Sequence, residues 1–547
     1  MSVLDFSLIA VYFLVVFFIS FWSSRKSLKN SKAYFLGGGG IGWMAIGASL
    51  FASNISAEHF IGLAGSGSNS GLAVGQFEWL ACLVLLLLGW FFVPYYLRAG
   101  VFTMPEFLER RYNSFCRRYL SAVSLVAYVF TKVSVSVYAG ALVLQTILGW
   151  DIWTGAIVLI VATGIYTVFG GLRAVIYTDF FQAGVLIAGG IFLTVTAVSR
   201  AGGLGVMAGH LDPSFFNLWK SASDPEFPWT GVLFGAPILG IWYWCTDQMI
   251  VQRTLAAGNI EEARSASIFA GYLKILPVFI LVLPGLAGRI LFPQVVPDKM
   301  YATMVNELLP NGVKGIVIAA LLAALMSSLS SIFNSSSTLV VMDFYKKWRP
   351  EAGERELVRA GQISTGILVL VALAWLPFIG LMSGQIYVYL QSVQAYISPP
   401  IAAVFLAGLL WRRANGAGAI AALSSGFVLG SLRFVAEIGM KAKWMSWGPL
   451  VVYASVNFLH FAIFLFIFSI ALLVVFGYLA PGPSRENLSV FAVSPTNVSG
   501  GTASAYRNNL VMSVILVFIV LFLWLIFSPV LCGRNVLSYT QYINSPE

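Results

Sequence analysis

The amino-acid sequence predicts an all-α protein that crosses a membrane many times. Hydrophobic residues make up 59% of the 547 residues, charged residues make up only 10%, and the mean hydropathy is +0.86. A soluble domain of this size could not cover its surface with so few charges. Apolar runs long enough to span a bilayer recur about fourteen times. Since backbone polar groups in hydrocarbon must be satisfied within each run, every run is predicted to be a helix.

The apolar runs divide the chain into spans that are joined by short polar loops. The first run lacks a basic segment before it and a small-residue cleavage site after it, so we expect a retained helix rather than a signal peptide. The longest polar stretches, 200–227 and 479–507, are too short for a folded soluble domain, so function is expected within the helical bundle. The predicted spans cover residues 5–23, 43–66, 74–97, 117–148, 152–170, 177–199, 228–252, 267–292, 313–345, 360–380, 385–411, 417–437, 450–478 and 508–530.

The basic residues predict how the chain is oriented in the bilayer. Of the 32 Lys and Arg residues, about two-thirds fall in loops that share one side if the chain crosses at every predicted span. Basic loops face the cytoplasm, so both termini are expected on the extracellular or periplasmic side of the plasma membrane. The formal net charge of +10 follows from this topology, and no nucleic-acid partner is expected.

Two predicted spans contain residues that interrupt a helix. The second span carries the polar run 52–59 followed by Gly62, and the seventh carries Gly235, Pro237 and Gly240. Glycine and proline weaken a continuous helix. The two spans lie five helices apart, and because five is odd, a five-helix unit and its copy would insert in opposite orientations. Matched interruptions of this kind indicate a midplane binding site of a secondary transporter, with an ordinary kink in each span as the alternative.

The interrupted spans also divide the chain into regions. Residues 43–199 hold spans 2–6 and form the predicted first inverted repeat, and residues 228–411 hold spans 7–11 and form the second. An extracellular loop, 200–227, joins them. An extra helix and a cytoplasmic loop precede them in 1–42, and flanking helices follow in 412–547.

Four motifs within this frame carry a resemblance to a known family. They are GGLRAVIYTDFFQ at 170–182, WYWCTDQ at 242–248, GYLK at 271–274 and SPPIAAVF at 398–405. Through them the chain resembles the sodium/solute symporter family, and within it the sodium/glucose cotransporter branch, from about residue 5 to 480. The resemblance implies a five-plus-five inverted repeat (a LeuT-like core). It also implies alternating-access symport of a glucose- or galactose-type hexose, with sodium as the co-transported ion.

Polar side chains inside several apolar spans are candidates for sugar binding. Such groups are costly in lipid and usually face a cavity, a partner or an ion path. Interhelical hydrogen bonds, or a structural ion pair between Glu78 and Lys274, are the alternatives. An aromatic face suits the apolar C–H side of a sugar ring. The resemblance assigns sugar binding to Asn54, His59, Glu78, Lys274 and Gln391, and it assigns the stacking platform and inner gate to Tyr243, with Trp242 beside it in the substrate site.

The resemblance also implies a hydrophobic outer lid and leaves the sugar open. Leu63, Phe77 and Tyr387 match the lid positions. Gly240 stands where sugar transporters commonly have a polar residue, and His59 stands where a bacterial galactose transporter of the family has Gln. Hydroxyl recognition is still expected, but myo-inositol, mannose or fructose, or sialic acid remain alternative solutes.

The serine-rich ninth span is the candidate sodium-binding helix. A hard monovalent cation prefers several oxygen ligands, and hydroxyls together with the freed carbonyls of a broken helix supply them. Packing of small residues between helices is the alternative interpretation. The resemblance implies a main sodium site made by the carbonyls of Ala52, Ile55 and Ala324 and the hydroxyls of Ser327 and Ser328.

A second sodium site is expected beside the first. Residues 327, 330, 331 and 334 lie on one helical face at spacings of three and four. The resemblance joins Ser327, Ser330 and Ser331 to Asp179 in this site, which implies two sodium ions per sugar. The alternative is that Asp179 is a structural partner of a base such as Arg253.

Other classes of function fit the sequence less well. An enzyme is not expected, because the three histidines are scattered and neither metal-ligand spacing nor a nucleophile motif is present. A passive channel or a sensor stays open, since broken helices also line pores. Lys132 is expected either to snorkel to the membrane surface or to contact neighbouring helices. The expected partners are the sugar, sodium and the lipid bilayer, and the sequence leaves an accessory subunit open.

Overall fold

The computed structural model describes residues 1–27, 30–379, 386–441, 443, 448–492 and 502–528. This part of the chain is helical, with one isolated β-bridge between Lys220 and Pro228. The helices up to residue 200 are α1 Val3–Ser27, α2 Ser31–Leu36, α3 Trp43–Asn54, α4 Ala57–Ser70, α5 Gln76–Leu87, α6 Val93–Ala99, α7 Met104–Arg111, α8 Ser114–Ala127, α9 Ser134–Leu148 and α10 Ile152–Arg200.

The remaining helices begin in the segment 200–227 and run to the last described segment. They are α11 Gly203–His210, α12 Trp229–Phe234, α13 Ala236–Gly240, α14 Gln248–Thr254, α15 Ile260–Leu273, α16 Leu283–Leu291, α17 Met300–Leu308, α18 Val313–Leu339, α19 Lys346–Trp348, α20 Glu354–Ile379, α21 Ile386–Leu410, α22 Gly416–Lys441, α23 Gly448–Ser455, α24 Phe458–Leu479, α25 Arg485–Ala492 and α26 Ala503–Ile526.

Eleven helical stretches in the described residues are long and apolar enough to cross a membrane. They match eleven of the fourteen predicted spans, so the polytopic all-α class is confirmed and the count of fourteen stays a prediction. The second, fifth and seventh predicted spans differ because each is short or broken. In the fifth, the apolar helix Ile152–Ile165 is short, and α10 bends at Gly171, whose φ of 62° is available to glycine without strain.

The predicted interruption of the second span lies between α3 and α4. Helix α3 ends at Asn54, Ile55 takes φ −78° and ψ 102°, and Ser56 is extended before α4 begins at Ala57. The backbone N–H of Ser56 donates to Nδ1 of His59 at 3.4 Å. The break frees the last carbonyls of α3 inside the protein.

The predicted interruption of the seventh span lies between α12 and α14. Gly235 separates α12 from α13, and a Cβ there would come within 2.5 Å of the carbonyl oxygen of Leu459. A wide π-type turn, Ile241–Thr246, follows, and extended Asp247 starts α14. Such turns are frequent at functional sites because they redirect consecutive side chains.

Burial separates the central helices from the peripheral ones. In the most apolar part of the span Val313–Trp348, which contains α18, 94% of the residues are buried, against 22% in Val3–Ser24 and in Ala503–Ile526. Helix α18 packs against α10 and also contacts α3, α4 and α9. The serine-rich helix is therefore enclosed by protein, next to the break after α3.

Candidate functional site

A cavity of about 750 Å³, counted with the space open to solvent, lies where the two interrupted helices meet. Its lining combines apolar and aromatic side chains with a few polar groups, as the linings of small-molecule sites do. Six of the seven predicted substrate residues are in its lining, namely Asn54, His59, Glu78, Tyr243, Lys274 and Gln391. These residues come from five different segments of the chain, so the fold brings together side chains that are far apart in sequence.

One wall of the cavity is a connected polar cluster around Lys274, which directly follows α15. Its Nζ donates to Oδ1 of Asn54 at 2.6 Å and pairs with Oε2 of Glu78. Nε2 of His59 lies 3.9 Å from Oε1 of Glu78. Since Nδ1 of His59 accepts from the Ser56 N–H, a neutral imidazole here carries its proton on Nε2 and turns it toward Glu78. The cluster offers fixed donors and acceptors to the cavity.

An aromatic wall faces the cavity from the wide turn Ile241–Thr246. Tyr243 and Trp244 line it, with ring centroids 5.2 Å apart at 75°. Trp242 is not among the described residues that line the cavity. Its ring lies 5.5 Å from Nζ of Lys132. Consecutive helical residues point in different directions. In this turn Trp244, rather than Trp242, faces the cavity. Trp244 was not among the residues predicted from the sequence.

Two of the three predicted lid residues, Phe77 and Tyr387, line the cavity. The rings of Phe77 and Tyr387 meet edge to face, with centroids 6.2 Å apart. Tyr387 is only 1% exposed and packs on Gly62, where a Cβ would lie 2.6 Å from that of Tyr387. Leu63 is fully buried in the surrounding core and is not in the described lining. It is therefore part of the packed core rather than of the cavity wall.

A second buried ion pair reaches the cavity and was not predicted. Nζ of Lys132 lies 2.5 Å from Oδ2 of Asp247 and 4.6 Å from the ring centroid of Tyr243. Lys132 is 4% exposed and lines the cavity, so of the two expectations for it, snorkelling is wrong and contacts within the helical bundle are found. Asp247 accepts a hydrogen bond from the Tyr128 hydroxyl and a 2.9 Å bond from the Met249 N–H, which caps α14. The pair thus connects the start of α14 to the aromatic wall.

Three of the residues predicted for the main sodium site, Ala52, Ile55 and Ser328, lie at the break after α3 or contact the last turn of that helix. Ala52, Ile55 and Ala324 are all buried. The Ser328 hydroxyl donates to the carbonyl of Ser53 at 3.1 Å, which links α18 to the last turn of α3. Ser327 instead donates to Oδ1 of Asp179 at 2.5 Å. Ser328 therefore meets the broken helix, and Ser327 joins the neighbouring group.

The neighbouring group of polar side chains, which Ser327 joins, is centred on Asp179 of α10. Asp179 is fully buried. Besides Ser327, the hydroxyls of Ser49 and Ser53 donate to Oδ2 at 2.5 and 3.0 Å. These two serines of α3 were missed, although their i, i+4 spacing places them on one helical face. The hydroxyls of Ser330 and Ser331 donate to the carbonyl of Ser327 at 2.9 and 2.6 Å.

Arg253 also enters this group, in agreement with the alternative considered for Asp179. Its Nη2 lies 3.5 Å from Oδ2 of Asp179, and its Nε donates to the Ser49 hydroxyl at 2.9 Å. The arrangement is rich in oxygen atoms, which suits a hard cation such as sodium. It already contains one side-chain cation.

Comparison with known proteins identifies the family to which the chain belongs. Residues 34–426 match the model of the Sodium:solute symporter family. Sodium/glucose cotransporter 1 of Oryctolagus cuniculus is 40% identical over 517 residues, which are 86% of this chain and 78% of that protein. The sodium/myo-inositol cotransporter of Homo sapiens is 39% identical over 534 residues, with 88% and 74% covered.

The fold is shared with a solved transporter as well. A substrate-bound, outward-open Na⁺-coupled sialic acid symporter superimposes with a TM-score of 0.76 at 20% identity, over 88% of this chain and 99% of that chain. That likeness concerns the fold, while the family match and the curated relatives concern the sequence. The chain is a member of the sodium:solute symporter family, a multi-pass membrane protein of the sodium-coupled symporter type that carries sodium as its co-transported ion.

Proposed function

We propose that this symporter takes up a glucose- or galactose-type hexose together with sodium by alternating access. The observation that carries the proposal is the polar cluster of Lys274, Asn54 and Glu78, which shares one cavity with Tyr243 and Trp244. A sugar ring presents hydroxyls around its edge and apolar C–H groups on its faces. The cluster can bond the hydroxyls, and the aromatic wall can cover a face.

The proposed roles of the individual residues follow from this division of the cavity into a polar cluster and an aromatic wall. Polar contacts to the sugar come from Asn54, His59, Glu78, Lys274 and Gln391. Tyr243 is the stacking platform and inner gate, Trp244 extends the platform, and Trp242 supports it from behind. Phe77 and Tyr387 form the outer lid, with Leu63 packed beneath them.

The charge balance of the cavity favours a neutral solute over an anionic one. Lys274 pairs with Glu78, and Lys132 pairs with Asp247, so two cations are matched by two carboxylates. An anionic sugar such as sialic acid would bring a carboxylate without a free counter-charge into a desolvated site, which is costly.

The cavity distinguishes less clearly among different neutral polyols. Gly240 lines the cavity opposite Val84 and offers no polar group. One hydroxyl of the ligand therefore lacks a partner at that place, which leaves myo-inositol, mannose and fructose as rivals of glucose and galactose.

We further propose that two sodium ions accompany each sugar. The first would bind the carbonyls of Ala52, Ile55 and Ala324 with the hydroxyls of Ser327 and Ser328. The second would bind Asp179 with the hydroxyls of Ser327, Ser330 and Ser331. At 100 mV and a tenfold gradient each ion supplies roughly 3.7 kcal/mol. One ion then sustains about 500-fold accumulation and two ions sustain about 250,000-fold.

The proposed architecture places the repeats at 43–199 and 228–411 on either side of the cavity. Both termini are proposed to face the extracellular or periplasmic side, because the basic loops then face the cytoplasm. Reaction of single introduced surface cysteines with an impermeant reagent in whole cells tests this orientation.

Uptake by purified protein in proteoliposomes tests the function. Vesicles with an inward sodium gradient and a negative interior are offered labelled glucose, galactose, mannose, fructose, myo-inositol or sialic acid. We expect accumulation of a hexose above its external concentration, abolished when a sodium ionophore collapses the gradient. Sodium-independent flux that stops at equilibrium would identify a passive channel, and preferred accumulation of another solute would reassign the substrate.

A further inference from the structure

The guanidinium of Arg253 lies inside the oxygen cluster that is proposed to hold the second sodium ion. Arg253 is fully buried near the end of α14. Besides its contacts with Asp179 and Ser49, its Nη2 donates to the hydroxyl of Ser331. A side-chain cation is therefore bound by the group that a metal cation would need.

Two contacts of Arg253, those with Asp179 and Ser331, use oxygen atoms that are proposed to bind the second sodium ion. The Ser49 hydroxyl accepts from Nε of Arg253 at 2.9 Å and donates to Asp179 at 2.5 Å. The Ser331 hydroxyl accepts from Arg253, lies 3.1 Å from the hydroxyl of Ser53, and donates to the carbonyl of Ser327. An oxygen whose lone pairs face a guanidinium cannot turn them fully toward a metal ion, so the two cations compete for ligands.

The charges of the cluster lead to the same conclusion. Asp179 contributes one negative charge and Arg253 one positive charge, and both are fully buried. A sodium ion added to this neutral pair would leave a net positive charge in a site of low dielectric, where such an excess is costly. If the guanidinium withdraws, sodium and Asp179 restore neutrality.

We propose that Arg253 is a tethered cation that neutralises Asp179 in the ion-free transporter and is displaced when sodium binds there. This proposal rests on the proposed second sodium site. It assigns to Arg253 the role of setting sodium affinity at that site, because each sodium ion must first displace the guanidinium. It also explains how a buried carboxylate is kept paired in every step of the cycle.

The guanidinium of Arg253 has another hydrogen-bond acceptor nearby when it leaves Asp179. Its Nη1 already donates to the carbonyl of Met249, one turn earlier in α14. Arg253 also belongs to the last turn of this helix, where the helix dipole favours a cation. The side chain can therefore move away from Asp179 while it keeps a hydrogen-bond acceptor.

Direct binding of ²²Na⁺ to purified protein in detergent, without sugar, tests the exchange. The proteins are wild type, Arg253→Met, Asp179→Asn and the control Arg111→Met. Arg111 is also fully buried but donates to the backbone carbonyls of Gly408, Trp411 and Ala414. We expect Arg253→Met to bind one of its two sodium ions about tenfold more tightly or better, which corresponds to about 1.4 kcal/mol. Arg111→Met should bind sodium as the wild type does.

The outcomes separate the two proposals. If Asp179→Asn still binds two ions with wild-type affinity, the second site itself is misplaced. If Asp179→Asn loses one ion but Arg253→Met gains no affinity, the second site stands and the exchange is overturned.

A measurement on the unmodified protein covers the case in which Arg253→Met does not fold. Cryo-electron microscopy of wild type in sodium and in N-methylglucamine should give an Arg253–Asp179 separation above ion-pair range, about 4 Å, only in sodium. An intact pair beside a sodium ion bound at Asp179 would overturn the exchange.

Discussion

The ammonium group of Lys132 lies 2.5 Å from a carboxylate oxygen of Asp247 and 4.6 Å from the centre of the Tyr243 ring. The same group thus holds the start of α14 and contacts the proposed gate. Removal of one member of a buried pair leaves the other charge uncompensated, at a cost of about 3–5 kcal/mol. We expect Lys132→Met to lower the melting temperature in detergent strongly and Lys132→Met/Asp247→Asn to recover most of the loss. Equal melting temperatures of Lys132→Met and wild type would contradict a stabilising role of the Lys132–Asp247 pair.

Lys274 is expected to contribute to sugar affinity through its hydrogen-bond capacity. Loss of a hydrogen bond to a ligand hydroxyl costs about 1–3 kcal/mol, or roughly 5- to 150-fold. Lys274→Ala and Gln391→Glu should therefore raise the apparent KM for the sugar in sodium-driven uptake. If both variants transport with wild-type affinity, the site lies elsewhere.

The ring of Tyr243, rather than its hydroxyl, is expected to provide the platform. Tyr243→Phe should keep sugar affinity within a few-fold, since a stacking face and its contact with Lys132 persist. Tyr243→Ala should abolish accumulation and let sodium leak without sugar, as measured by current in the absence of substrate. Normal uptake by the alanine variant would rule out the gate role.

The stoichiometry is expected to depend on the serines near Asp179. The reversal potential of sugar-dependent current should give two sodium ions per sugar in wild type. Ser330→Ala, which removes a proposed ligand of the second ion only, should shift the ratio toward one. A one-to-one ratio in wild type would reject the second site.

The close contact of Gly62 with Tyr387 makes the outer lid sensitive to one methyl group. A Cβ at Gly62 would lie 2.6 Å from that of Tyr387, whereas a Cβ at Gly366 in α20 meets nothing within 4 Å. Overpacking of this kind costs about 1–3 kcal/mol. Gly62→Ala should raise the apparent KM roughly 5-fold or more, and Gly366→Ala should leave it unchanged. An unaffected Gly62→Ala would mean that Tyr387 moves freely.

Local chemistry explains why the helix breaks could be predicted. Polar residues before Ile55, and Gly235 with Pro237, are weak helix formers, so the sequence indicates the breaks. The Lys132–Asp247 pair could not be predicted in this way, because its members are 115 positions apart and meet only through packing.

The direction of side chains in an irregular turn is equally hard to derive. The sequence predicted aromatic residues at the gate, but a regular helix gives no reason to prefer Trp244 over Trp242 as a wall of the cavity. The wide turn Ile241–Thr246 makes that choice. Ser49 and Ser53 were within reach of a pattern search, but their partner Asp179 lies on another helix.

The matched charges of the cavity have an electrical consequence. Since Lys132, Lys274, Asp247 and Glu78 form two neutral pairs, the proposed neutral sugar would neither add to nor cancel a net charge of these pairs. The membrane voltage then does work in a completed cycle on the sodium ions alone. Steady-state current divided by tracer sugar flux should therefore be a whole number that stays the same for every neutral sugar carried, however different their affinities.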